Sequence, residues 1–162
     1  MHDYPDDPLQ SAGNPDPFEV LQSTPLRLEV VFERLTPDDY DLVGGSSLRT
    51  IRELLAGLAD FETVSAFRFR QILAEDNAGL QPFSWASWSE RYDRADPALA
   101  VAAFRALRSW NLSLISSLDL DDWLREGYHP QLGVVSIDDL VRRLAANDLA
   151  RLEELEATLQ GA

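Results

Sequence analysis

The chain has 162 residues, no cysteine, and 28 acidic against 14 basic side chains, for a formal charge of −14. That length suits a single domain with a real core, and the missing thiols exclude disulfides, thiolate metal sites and a cysteine nucleophile. So negative a field argues against nucleic acid and anionic membrane as partners, and no apolar run reaches membrane-spanning length.

Residues 1–16 are rich in Pro, Asp and Gly, show no period, and read as a flexible acidic leader holding His2. No basic-then-apolar signal layout opens the chain, and all 14 basic residues are arginine, as a GC-rich genome would encode. A cytoplasmic bacterial protein is the expectation, with one domain over residues 17–162.

The first helix is predicted to start at Pro17 or Phe18 behind an Asp16 cap, with Leu21, Leu28, Val31, Phe32 and Leu35 as its apolar face. Pro25 lies inside it, removes one backbone donor, and should bend or divide the helix. Thr36-Pro37-Asp38-Asp39 suits a short capped turn, and Gly44 to Ser47 a loop. The second helix opens on a Thr50/Glu53 capping box and runs to about Ala74, with Gly57 in its middle and Arg68 and Arg70 near its end.

Residues 75–95 form a long connection with four aromatic rings, Phe83, Trp85, Trp88 and Tyr92. An ordered segment with one short helix near Ser87 to Tyr92 is expected, serving as cover for the core, a lid or a dimer contact. The third helix starts at Asp96-Pro97, and its stripe Ala100, Phe104, Leu107, Asn111, Leu114, Leu118 is apolar except at Asn111. Gly127 to Gly133 reads as a turn-rich loop carrying His129. Ser136 caps the last helix, which continues to about Leu159.

On that last helix Leu140, Leu144, Asn147, Arg151, Leu155 and Thr158 share one face. The stripe is apolar, then polar, then apolar again. Such a break points to a pocket at the bundle centre. The fold class is therefore all-α, a four-helix bundle with a polar middle.

Four stretches together resemble the DinB/YfiT-like metalloenzyme family: Ile51 to Glu62, Phe69 to Asp76, His129 to Gly133, and Ala146 to Leu152. The resemblance covers about Phe18 to Leu159. It implies a four-helix bundle, commonly dimeric, with zinc or nickel held by three histidines. One histidine stands in a pattern like "H-L-x-D-x-E" of the second helix, and two in "H-D-L-x-H-L" of the last. Those positions carry over to Gly57, Asn147 and Arg151. Gly has no ligand atom, Asn only a weak carbonyl oxygen, and a guanidinium repels a cation. A three-imidazole site cannot form, and no metal or other cofactor is expected.

The residues that converge on the centre are Gly57, Glu62, Asn111, Asn147, Asp148 and Arg151, with His129 as a loop residue nearby. Arg151 is expected to stand where the metal charge would be, held by Glu62, Asp148 or both. The competing expectation is that Arg151 reaches out to the surface. His129 has no nucleophile to serve and is expected to bond to backbone. Three functions follow: a non-catalytic binding or interaction module, stress-associated as the family's name suggests; a metal- or thiol-cofactor-dependent transferase or hydrolase with a non-standard site; and a binder of a small anionic ligand on Arg151. A homodimer is the expected assembly and a small molecule the other candidate partner.

Overall fold

The computed structural model describes residues 15–44 and 48–161. All of the leader but Pro15 and Asp16, His2 with it, and the Gly45-Ser46-Ser47 part of the loop lie outside the described residues.

Four long helices build the domain. α1 spans Pro17–Phe32, with Asp16 Oδ1 accepting the Phe18 N–H at 2.8 Å and Pro17 in the first turn. α2 spans Ile51–Ala74 behind the Thr50/Glu53 box, closed by bonds of 3.2 and 2.7 Å. The short α3, Trp85–Ser89, then precedes α4, Pro97–Ile115, which Asp96 caps through Ala98 N and Leu99 N. After the one-turn α5, Leu120–Trp123, comes α6, Ile137–Gln160, opened by a Ser136/Asp139 box. α2 packs on α4 and α6, and α1 packs on α6 and α4, which makes the bundle.

Pro25 does not divide α1, which is continuous through it. It cannot donate to the Leu21 carbonyl four residues back, and that carbonyl instead accepts from Arg108 Nη1 at 3.1 Å. The defect in one helix thus becomes an acceptor for another.

Two apolar clusters share the interior. One gathers Leu21, Phe61, Phe69, Ile72, Leu140 and Leu144, the other Leu28, Leu54, Leu58, Phe104, Leu152 and Leu155. Each such side chain, fully buried, contributes about 1.5–3 kcal/mol. On all four long helices a polar group lies between the residues of the two clusters: Thr24, Glu62, Arg108 with Asn111, and Asp148.

Three expectations need correction. The α4 stripe is Val101, Phe104, Arg108, Asn111 and Ile115, one residue off the expected row on either side of Asn111. The short helix starts at Trp85, where Ser84 Oγ accepts the Ser87 N–H, and a 3-10 turn at Tyr92–Arg94 follows. Gly127 to Gly133 belongs to a small sheet: β1 (Ala78–Gly79) parallel to β2 (Glu126–His129), and β2 antiparallel to β3 (Gly133–Ser136). Four-residue strands are too short to show a period, and Gly133, at φ +76°, makes the turn that read as loop. The Thr36 to Asp39 turn forms as expected, with Asp39 Oδ2 accepting from Thr36 N.

Candidate functional site

At the centre lies Arg108, 0% exposed. Its Nη1 and Nη2 grip the two oxygens of Asp148 at 2.6 and 3.0 Å. Its Nε and Nη2 donate to Glu62 Oε2 at 3.1 and 2.7 Å, and Nη1 also reaches Leu21 O. A guanidinium has five N–H groups, and these five contacts engage them all. The Phe104 ring lies under the cation, its centroid 4.7 Å from Cζ. Asn111 extends the network: its Nδ2 donates to Glu62 Oε1 at 2.7 Å, and its Oδ1 accepts from Arg70 Nη1 at 2.8 Å. Two carboxylates thus meet one guanidinium directly, and Arg70 joins only through Asn111. Burial raises the Asp148 carboxyl above its usual range, while Arg108 opposes that shift.

The expected central cation is therefore present, but it is Arg108 and not Arg151. Arg151 Nη1 lies 2.8 Å from Glu154 Oε1, one turn further along α6, and neither Glu62 nor Asp148 is its partner. The reason is angular. Asp148 and Arg151 are neighbours along α6, yet Asp148 is buried against α4 and Arg151 remains partly exposed. Arg68 and Arg70 do not serve the end of α2 as dipole partners. Arg70 joins the centre through Asn111, and Arg68 Nη2 donates to Gln81 O at 2.8 Å.

His129 is buried at the end of β2. Gln131 N donates to its Nδ1 at 3.2 Å, the backbone bond expected for it, and Arg68 Nη2 lies 3.3 Å from its Nε2. With Nδ1 accepting from the Gln131 N–H, the neutral ring carries its one proton on Nε2, and a second proton on Nδ1 would face that N–H. Burial first, then the positive charges of Arg68 and Arg143, push its pKa down to about 4. It stands apart from the Arg108 network.

Gly57 and Arg151 meet a second side chain, Trp85. A Cβ on Gly57 would collide with Trp85 Cη2 and Cζ2, so the benzo end of this indole fills the notch that the glycine leaves. Arg151 Cζ lies 5.9 Å and Arg49 Cζ 5.4 Å from the Trp85 ring centroid. Sequence reasoning missed Arg108 and the part Arg70 plays at the centre, and it did not place Trp85 against Gly57. Glu62 and Asp148, two buried acids in need of a cation, were the signal for Arg108. An unexplained glycine opposite an aromatic segment was the signal for Trp85.

The positions matching the family's three histidines thus offer a filled notch, an amide and a cation, which do not fit zinc or nickel. Among the described residues no group of three or more His, Asp or Glu side chains is placed to hold a metal ion. An open groove of about 520 Å³ lies nearby, with Thr63, Phe67, Arg68, Phe83 and Trp88 among its walls. Among the described residues its lining carries no carboxylate or imidazole for acid–base chemistry.

Fold and centre together define a four-helix bundle whose polar middle is closed by a buried arginine between two acids. A sequence model of the DinB superfamily matches residues 21–155, and the chain belongs to that superfamily. It is 29% identical over 115 residues to a Bacillus subtilis (strain 168) protein named "Putative metal-dependent hydrolase YfiT", covering 70% of this chain and 65% of that one. This match thus spans slightly under two thirds of that relative. A protein of Oceanobacillus iheyensis, named in the same way, is 29% identical over 72% of this chain and 69% of its own length. Among solved structures, YfiT superposes with a TM-score of 0.80 at 22% identity, over 99% of this chain and 98% of that one. A mutant of the mycothiol-dependent maleylpyruvate isomerase superposes with a TM-score of 0.71 at 10% identity, over 87% and 60% of the two chains. At such identities the superpositions establish the fold alone.

Proposed function

We propose that this chain is a DinB-superfamily module that has given up the three-histidine metal site and acts by binding, not by catalysis, as a cytoplasmic homodimer without cofactor. The observation that carries the reading is the Trp85 ring in the Gly57 notch. A histidine there would have to displace the indole, and the other two positions hold an amide and a guanidinium. Arg108 supplies a fixed positive charge to Glu62 and Asp148, so these two acids are engaged in the fold and are not available as ligands or as a general base.

The names of the relatives favour a second reading, a metal-dependent hydrolase or thiol-cofactor-dependent transferase working from a non-standard site. Elemental analysis of protein purified without chelator separates the two. The first reading expects zinc and nickel far below one equivalent per chain, before and after incubation with either ion. Stoichiometric metal in either sample overturns it.

A further inference from the structure

In an acidic chain, α4 stands out. Its 19 residues include no aspartate or glutamate, although the chain holds 28. Of its two arginines, Arg108 is buried in the centre and Arg105 is paired with Glu29 of α1 at 2.7 Å. Apart from Arg105, every exposed residue of α4 is uncharged, and Leu99 and Trp110, 69% and 66% exposed, stand among Ala102, Ala103 and Ala106. α2 extends this face. It runs parallel to α4, since Arg52 donates to Ala95 O and Arg70 to Asn111, so Phe67, 63% exposed, comes level with Trp110. Arg70, one turn from Phe67, reaches across to the Trp110 ring, with Cζ 5.6 Å from its centroid. The groove walled by Phe67 and Trp88 adjoins it. Large apolar side chains exposed together on one uncharged face mark a contact surface.

We infer that on this face two copies of the chain meet, with their α4 helices antiparallel about a twofold axis at Ala106. The inference rests on the homodimer proposed above and gives it an interface. Charge selects the occupant. Two copies at −14 each repel one another, and the repulsion is least where neither presents a carboxylate. A cationic partner would instead be drawn to the acidic faces and would gain nothing here. Size agrees. A face about 28 Å long and about 20 Å wide has an outline on the order of 600 Å², and side-chain relief brings it near the roughly 800 Å² that each partner gives to a standard interface. The order of side chains is self-complementary. With the axis at Ala106, Trp110 of each copy faces Ala102 of the other, and Leu99 faces Ser113. Every large side chain meets a small one, which lets the two helices approach closely.

The test measures the mass of the full chain and its variants by light scattering, with circular dichroism to confirm that each remains helical. Ala106→Glu sets two like charges against each other on the axis and is expected to return one chain mass, 18.2 kDa, where the unmodified protein returns two. Val134→Glu, exposed on β3 beside α6, is expected to leave the dimer intact. Because the chain has no cysteine, Ala106→Cys carries a single thiol, and under mild oxidation it is expected to yield a covalent dimer on a non-reducing gel, whereas Val134→Cys stays a single chain. A dimer that survives Ala106→Glu, or whose Ala106→Cys thiols do not join, has its interface elsewhere and overturns this inference alone. An unmodified protein of one chain mass sinks the homodimer reading, and the inference with it.

Discussion

Arg108 directs all five of its N–H groups at Glu62, Asp148 and the Leu21 carbonyl, inside a cage where none of the three side chains touches water. Removing it would leave two carboxylates facing each other in the dark of the core. Arg108→Met, close in volume, is expected to destabilise the fold by about 3–5 kcal/mol in urea unfolding, because the partners stay behind uncompensated. Arg151→Met should cost much less, since Arg151 pairs with Glu154 at the edge of the solvent. A larger loss for Arg151 than for Arg108 would reverse the assignment of the central cation. The need for a cation was legible from Glu62, Asn111 and Asp148. Which arginine meets it was not: Leu107 and Arg108 both continue the 4-3 rhythm between Phe104 and Asn111, and apolarity favoured the leucine.

Between elements, the decisive contact is the aromatic connection laid across α2. Gly57 makes no use of positive φ; it makes room, and Trp85 takes that room. Gly57→Ala gains about 1 kcal/mol of helix propensity, but its methyl group collides with the indole, whose far end can swing outward. The expected outcome is an intact helix and a red-shifted tryptophan emission, with the shift abolished in a Trp85→Phe background. An unshifted spectrum would mean that the ring is not seated there. Ordering of the 75–95 segment was readable from its rings. Its target was not, since a glycine names a space and not its occupant. Pro25 makes a similar point: its missing N–H was visible in sequence, whereas the use of the freed Leu21 carbonyl by α4 appears only when the helices are packed.

On the scale of the whole molecule, His129 lies buried at the end of β2, with Arg68 of α2 3.3 Å from its Nε2. The folded protein holds this imidazole neutral down to about pH 4, whereas the unfolded chain takes up a proton near 6.5. Its contribution is complete above pH 6.5 and is lost as the pH falls toward 4, by up to about 3 kcal/mol. His129→Gln should therefore flatten the pH dependence of the urea midpoint between pH 7 and 4.5 relative to the unmodified protein. Parallel curves would show that the ring does not carry this sensitivity. Phe67 and Trp88, exposed beside the aromatic connection, suit the dimer expected of the chain. Light scattering should return twice the 18.2 kDa chain mass, and a single chain mass would refute the assembly.

The sequence by itself determined the helices, because caps and 3.6-residue periods act within a few residues: Thr50 with Glu53, Asp96 with Pro97, and Ser136 with Asp139 are all local signals. It determined that the centre is polar, since Asn111, Asn147 and Arg151 interrupt apolar rows. The packed bundle decided the pairing. Arg108 is 46 residues from Glu62 and 40 from Asp148, and Trp85 is more than a helix length from Gly57. Contacts at such separations depend on how each helix is rotated about its axis. That rotation follows from burying all four apolar faces at once, which no single stretch of sequence encodes.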